Sequence, residues 1–452
     1  MIGILFFLAL LPVIVAFLRG RGSLSMNAFW FAIFHLLTFS LVGYAFPGDG
    51  VSQATHFIVM ATSLLCFYAF LIGFLLFSPN PRVLGPPVQV SELSAAIVSG
   101  DVRRAVVLLI VLTTVVGMIY FGGPPPVLDS LRSLLGGELS SDAAIAVRDF
   151  RFSMTKSAYF GGEYRGQGVL RAVTYVSSAI IVSYFSILMA LKPGSYSRLK
   201  FILSLAFAFL FVGGVGDRAP FLEMLLIAAG AYSLAKPLKL KHVAVSALGA
   251  FLALLLLSAL STKGYHLLAS QGLQGVSLLF DSLVERLFRG NSRYDIMIIE
   301  LVNGGTWPLR WGDAHIRNLV TAIPGVNYGV PVSYELFIYT NPLSDRSTFL
   351  SGTYMTHAYL DFGWFGSPFV YAISGALIGF GSGVFEKRAR RSSLFLLILP
   401  LVYFLLGKVF LYGIPGLIPY LIIVLALVLF LKALVSLSRR NRRVRNDALR
   451  FG

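Results

Sequence analysis

Residues 201–235 read FILSLAFAFLFVGGVGDRAPFLEMLLIAAGAYSLA, an apolar run interrupted near its middle by Gly-Asp-Arg. A membrane-spanning helix needs roughly 20 residues, so this run is too long for one span and short for two. The glycine cluster before Asp217 predicts a turn between two short helices, with Arg218 at the start of the second. A charged side chain at membrane depth usually faces a cavity or a partner. The stretch therefore predicts a helical membrane fold and a functional role for Arg218.

The composition of the whole chain supports the same class. Apolar residues make up 57% of the sequence, charged residues only 13%, and the mean hydropathy is +0.80. These values exclude a soluble protein, and the apolar runs are too long and unbroken for barrel strands. Cys66 is the single cysteine, which excludes a disulfide within the chain. We predict an all-α polytopic membrane protein with about eleven spans near 2–18, 27–46, 54–78, 105–122, 168–191, 201–215, 219–235, 243–261, 355–380, 393–411 and 416–437.

Basic residues set the predicted orientation. Most of the 37 Lys and Arg residues lie in short loops on one side and in the C-terminal tail, which predicts that this side is cytoplasmic. The tail is expected to bind anionic lipid rather than nucleic acid. Two long loops, one of them large and helical, fall on the outer side. The predicted organisation is N-terminal spans in 1–122, a first outer loop in 123–167, central spans in 168–261, a large outer loop domain in 262–354, C-terminal spans in 355–437 and a basic cytoplasmic tail in 438–452.

The outer loops contain many arginines, and arginine suits bidentate recognition of phosphate. A single one is more simply explained as a surface charge paired with an acid, but together with Arg218 they favour an anionic ligand. Asp217 is placed as an N-cap and Pro220 suits a first helical turn, so the helix N-terminus would favour phosphate. The alternative is a structural Asp–Arg pair in a tight turn. The outer arginines are Arg148, Arg151, Arg165, Arg171, Arg286, Arg289, Arg293, Arg310, Arg317 and Arg346.

Two further stretches could form a site. In LFRGNSRYD (287–295), Arg289 and Arg293 flank a polar turn and could converge on one ligand, or the turn could simply join two helices. His357 and Asp361 are four residues apart, hence on one helix face, where a carboxylate could orient an imidazole as a general base. The alternative is a hydrogen-bonded interface histidine. No third ligand for a metal accompanies the pair.

The segment FLSGTYMTHAYLDFGWFGSPFVYAISGALIGF (349–380) resembles the Y-x-D/N-F-G-x-x-G signature of Wzy-type oligosaccharide repeat-unit polymerases, which make O-antigen and capsule. GDRAPFLEMLL is similar to their segment of small residues followed by Arg at the start of a span. The layout matches over roughly residues 160–430, while residue matches are confined to 349–366 and 213–222. O-antigen ligases share the layout and are close competitors.

The resemblance implies a metal-independent, inverting glycosyltransferase without a cofactor, on the outer face of the bacterial inner membrane. It would join polyprenyl-pyrophosphate-linked donor and acceptor oligosaccharides. Its partners would be membrane lipids, a chain-length regulator and a flippase, and it would bind no nucleic acid. A ligase, or a transporter or flippase of lipid-linked glycans, is the alternative. The implied site has pyrophosphate-binding Arg218, Arg289, Arg293, Arg165 and Arg171, the base His357 oriented by Asp361 with Asp295 and Glu300 in reserve, and sugar-stacking Trp307, Trp311, Tyr334 and Tyr359.

Overall fold

The computed structural model describes the chain at residues 2–19, 23–47, 50–78, 89–128, 132, 167–214, 218–259, 271–321, 332–340 and 352–451. These ranges are helical apart from connections and one antiparallel pair of two-residue strands, β1 (Ser23–Leu24) and β2 (Leu238–Lys239). Seven of the described helices are long and apolar enough to cross a membrane, and three shorter apolar helices accompany them. The all-α fold is confirmed, and the long apolar helices support a membrane-embedded protein, whereas eleven spans and a large outer loop stay predictions.

One continuous helical rod lies among the helices that precede the first long loop. In this rod α2 (Ala28–Leu36) passes through a π-helical turn, Leu37–Leu41, into α3 (Val42–Ala45). The side chain of Asn27 accepts the backbone N–H of Trp30 and so begins the rod with a regular N-cap. The other helices before that loop are α1 (Ile2–Arg19), α4 (Gln53–Phe77), α5 (Val90–Val98) and α6 (Gly100–Phe121).

The interrupted run that predicted the fold is two helices. α8 (Ser195–Val212) ends at Gly213, and α9 (Arg218–Ala235) begins at the predicted arginine. α8 starts before the apolar run does, because its first turn carries the polar residues that precede the run. Residues 215–217, including the predicted N-cap Asp217, lie outside the described part of the chain. The central group is completed by α7 (Gln167–Leu191) and α10 (Leu240–Ala259).

The segment between α10 and the last spans contributes short helices and a small core of its own. The predicted helices at 267–288 and 293–303 correspond to two of them. Ile298, Ala314, Leu336 and Leu360 meet in this core, so the short helices rest on the start of the next long helix. The short helices are α11 (Leu273–Phe288), α12 (Ser292–Asn303), α13 (Asp313–Thr321) and α14 (Val332–Thr340).

The last helices are α15 (Tyr354–Ala389), α16 (Ser393–Gly407) and α17 (Val409–Phe451). α16 is apolar all round, and every residue from Leu394 to Gly407 is buried, as expected of a central helix. α15 lies along α4 in close contact. The contact depends on glycine, because a Cβ at Gly375 would overlap the carbonyl oxygen of Phe70, and a Cβ at Gly73 would overlap that of Ala372.

Replacing Gly375 by alanine is expected to lower the free energy of unfolding by about 1–3 kcal/mol, the usual cost of overpacking a tight contact. The added methyl group meets backbone, which cannot turn away as a side chain could. The measurement is the thermal unfolding midpoint in detergent micelles. Gly381→Ala is the matched control, since its Cβ would come no closer than 4.0 Å to Leu406. Equal midpoints for the two variants would contradict the packing argument.

Candidate functional site

A break in α15 fixes the geometry of the first candidate site. Gly363 has φ 62° and ψ −159°, a conformation essentially restricted to glycine, and it divides α15 after its first turns. The break frees the carbonyls of Leu360 and Asp361 from their helical partners. They accept instead the backbone N–H groups of Arg310 and Trp311, each at 3.0 Å. The connection between α12 and α13 is therefore held against the end of this helical segment.

The side chain of Asp361 holds α13 and its histidine. Its two oxygens accept the backbone N–H groups of Ala314 and His315 at 2.9 Å, which are free donors in the first turn of a helix. Oδ2 also accepts Nδ1 of His315 at 2.6 Å. Because an ionised carboxylate only accepts, Nδ1 carries the proton of this hydrogen bond. In the neutral tautomer that this bond favours, the lone pair is on Nε2, 3.1 Å from the Tyr354 hydroxyl. A general base requires this tautomer.

The predicted pairing of His357 with Asp361 is wrong. The two residues are four apart on α15, but the carboxylate turns toward α13, where two backbone donors and His315 compete for it. The ring of His357 lies 6.4 Å from the ring of His315, centroid to centroid. Its Nδ1 is buried and has no hydrogen-bond partner among the described residues, although the backbone of Thr353 interacts with the ring. The histidine that Asp361 orients is therefore His315.

Asp295 is a structural carboxylate and does not suit the reserve role of a general base. It is fully buried and accepts hydrogen bonds from the hydroxyls of Tyr44, Thr353 and Thr356 and from the Thr353 backbone. Burial raises the pKa of Asp295, the hydrogen bonds from Thr356, Tyr44 and Thr353 lower it, and the net shift is upward. With both oxygens occupied by protein donors, this carboxylate ties α12 to α3 and to the start of α15.

The polar turn between α11 and α12 is an ordered helix–helix turn. It packs against Gly43, where a Cβ would overlap the Ser292 side chain. Arg289 and Arg293 are exposed on this turn, and Glu300 is exposed further along α12. No contact among the described residues brings these three side chains to the other predicted site residues, so their convergence on one ligand stays a prediction.

Two other arginines of this segment are used in ion pairs, as the simpler interpretation predicts. Arg310 and Arg317 each bind one oxygen of Glu335 at 2.6 Å, and Arg317 also binds Asp313 at 2.7 Å. The network joins α13 to α14. It therefore stabilises the arrangement that presents His315.

The second candidate site is a cleft that contains Arg171. It lies where the ends of α6 and α8 meet the starts of α7 and α9. Since Pro220 is in the first turn of α9, the cleft opens beside the interrupted run. The Arg218 side chain and the whole of Arg165 lie outside the described part of the structure. The lining residues are Tyr120, Phe121, Arg171, Thr174, Tyr175, Phe211, Val212 and Pro220.

Tyr175 connects this cleft to a buried ion pair. Its hydroxyl donates to one oxygen of Glu223, and Nζ of Lys408 donates to the other at 2.6 Å. Both charged side chains are largely buried, in α9 and just before α17. Nζ also lies 4.8 Å from the ring centre of Tyr412, which is within cation–π range. The pair neutralises the Glu223 carboxylate next to a cleft that contains an arginine.

The turn at the start of α17 contacts the helix that carries His315. The Tyr412 carbonyl accepts the Asn318 side-chain amide at 3.4 Å, one turn beyond His315 on α13. The next residue, Gly413, has φ 66° and leaves room for the ring of Tyr354, which a Cβ there would overlap. Tyr412 also interacts electrostatically with Arg171. This short segment therefore contacts the helix that carries His315, and its tyrosine is within electrostatic range of Arg171.

The predicted sugar-stacking aromatics have different surroundings. Tyr359 is buried, and its hydroxyl donates to Asn303, so it does not face a ligand. Trp307 packs edge-on against Tyr339. Trp311 is 78% exposed. Tyr334 is in α14, and its side chain lies outside the described part.

Within the described ranges, no group of three His, Cys, Asp or Glu side chains is placed to hold a metal ion. Metal-independent chemistry stays a prediction. Comparison with known proteins found no match to this chain among family models, curated proteins or solved structures. Any assignment of function therefore depends on the residues and their geometry.

His315, Glu223 and Lys408 were not predicted from the sequence. The two charged residues carried a usable signal, because opposite charges inside apolar spans are expected to pair. His315 gave no comparable signal. It is 46 residues from Asp361, and no local pattern indicates that contact.

Proposed function

We propose that this chain is a membrane glycosyltransferase that polymerises polyprenyl-pyrophosphate-linked oligosaccharide units on the outer face of the bacterial inner membrane. The observation that carries the proposal is the combination of a cleft that contains Arg171, at the start of α9, with an imidazole whose Nδ1 is bonded to Asp361. The turn at Tyr412 contacts the helix of that imidazole and is within electrostatic range of Arg171. Such a reaction needs a cation for an anionic leaving group and a base for a hydroxyl nucleophile.

In the proposed reaction, Nε2 of His315 removes the proton from an acceptor sugar hydroxyl, and the oxygen bonds to the anomeric carbon of the donor. The Tyr354 hydroxyl, 3.1 Å from Nε2, occupies the place that the acceptor hydroxyl would take. The bond from the anomeric carbon to the pyrophosphate oxygen breaks, and its electron pair stays on the pyrophosphate. Arg171, joined by Arg218, stabilises that charge. Attack from the opposite face inverts the anomeric centre.

The deciding experiment supplies purified protein in detergent with lipid-linked repeat units from cells that lack the gene. A ladder of longer lipid-linked glycans on a gel supports polymerisation. Transfer only to a different added acceptor would assign a ligase instead. If the lipid-linked units stay unchanged in detergent and the protein moves them across the membrane of vesicles, the protein would be assigned as a transporter and not as an enzyme.

Arg171→Ala is expected to slow chain extension roughly 100-fold, the usual cost of losing one well-placed donor to a developing charge. Arg171→Lys should recover only part of the rate, because a lysine does not bind a phosphate in the bidentate manner of arginine. The measurement is the initial rate of lengthening in the same assay.

Arg104→Ala is the matched control for this variant. Arg104 is near the start of α6, and Tyr120 at the other end of that helix lines the cleft, so the two are about 24 Å apart at 1.5 Å per residue. We expect near-normal extension in this variant. Equal losses in Arg104→Ala and Arg171→Ala would remove the argument for a specific anion site.

A further inference from the structure

Trp311 is held outward by an unusual backbone conformation. It has φ 51°, a genuine outlier for a bulky side chain, and it is the only non-glycine residue with positive φ in the described ranges. Its N–H is fixed to the Asp361 carbonyl at 3.0 Å, and its indole is 78% exposed. Strain of this kind persists where the surrounding structure enforces it, often for function.

The helix that follows exposes two more apolar side chains on one face. Ile316 and Leu319 are three residues apart in α13, hence neighbours on its surface, and both are exposed. The other sides of α13 are occupied, since Ala314 is in the small core and Arg317 is ion-paired. The exposed face is therefore apolar on an otherwise polar helix.

Trp311, next to this face, is bonded to the part of α15 where an exposed apolar surface begins. Beyond Gly363, α15 exposes apolar side chains along a helix that is long and apolar enough to span a membrane. Trp364 and Phe365 begin that surface within four residues of Asp361, to whose carbonyl Trp311 is bonded. The exposed residues on α15 are Trp364, Phe365, Phe369, Ile373, Leu377 and Phe380.

We propose that Trp311, Ile316 and Leu319 rest in the headgroup region of the bilayer, with α13 lying along the membrane surface. Tryptophan is enriched at this depth, and a short amphipathic helix binds there through its apolar face. The partner is the lipid surface, and the inference does not depend on the proposed reaction. It places His315 at the depth of lipid phosphate groups. It also replaces the predicted sugar-stacking role of Trp311.

The test uses variants that keep one of the four tryptophans, with phenylalanine at the other three, in lipid vesicles. Lipids brominated near the headgroup end of the acyl chains are expected to quench the fluorescence of Trp311. Aqueous iodide is expected to leave that fluorescence unquenched. The variant that retains Trp364 serves as the lipid-facing reference. The variant that retains Trp307, which packs on Tyr339, should be quenched less by the lipids than either. Quenching of Trp311 by iodide and not by brominated lipid would overturn the proposal in favour of a water-facing, sugar-accessible indole.

A second measurement keeps all the tryptophans in place. Ile316→Cys carries a spin label, since the native Cys66 is buried. The label should be relaxed more by oxygen, which partitions into lipid, than by a water-soluble nickel complex. A label at Glu300→Cys on the exposed side of α12 should show the reverse preference. The same aqueous preference at both positions would overturn the proposal.

Discussion

Replacing His315 by alanine is expected to reduce chain extension by roughly 100- to 10,000-fold, the range for loss of a positioned general base. The protein should still fold, because Asp361 keeps the two backbone donors of α13. Asp361→Asn should give a comparable loss for another reason. An amide can turn its NH₂ group to Nδ1, which would favour the tautomer whose proton is on Nε2.

His357→Ala is the matched control, since this histidine lies in the same cluster but does not bond to Asp361. Its extension rate should stay near that of the unchanged protein. The measurement is the initial rate of glycan lengthening, with size-exclusion profiles to confirm folded protein. A large loss in His357→Ala together with a normal rate in His315→Ala would return the base to His357 and remove the mechanism argued above.

Replacing Lys408 by methionine is expected to lower the free energy of unfolding by about 3–5 kcal/mol, the usual effect of removing one partner of a buried ion pair. The variant leaves the Glu223 carboxylate buried with only the Tyr175 hydroxyl as a described donor. Adding Glu223→Gln should recover much of the loss, because no charge then needs a partner. The measurement is a double-mutant cycle of unfolding free energies in detergent.

Lys432→Met on α17 is the control, since Lys432 is exposed and lies 4.7 Å over the ring of Phe395. Its expected effect is below about 1 kcal/mol. If the losses in Lys408→Met and Glu223→Gln simply added in the double variant, the two side chains would be energetically independent. That result would contradict the buried pair.

Apolar patterning predicted the all-helical fold and the two helices of the interrupted run. The interrupted run at 201–235 became α8 and α9, with α9 starting at the predicted Arg218. Such predictions succeed because a chain in lipid must satisfy its backbone hydrogen bonds within each helix, so helix positions depend on local sequence. The start of α8 was missed by several residues, because a helix can extend beyond the apolar part of its sequence.

The candidate site was only partly predictable. Arg171 lines a cleft, as binding of a pyrophosphate would require. Its position in the cleft does not test whether it binds pyrophosphate. Asp361 was predicted to orient a histidine, and it does bond to one, but to His315 and not to the predicted His357. Helical spacing identified His357 as a neighbour on the same face, whereas the bond to His315 depends on how a separate helix docks at the break in α15.

The sequence by itself determined the all-α class, the membrane-embedded character and the position of the interrupted run. These follow from composition and from hydrogen bonding that closes within a helix. Only the tertiary structure decided which groups meet: Asp361 with His315, Glu223 with Lys408, and Asp295 with Tyr44. A buried charge takes whichever donors the packing brings to it, and donors from distant segments leave no local pattern in the chain.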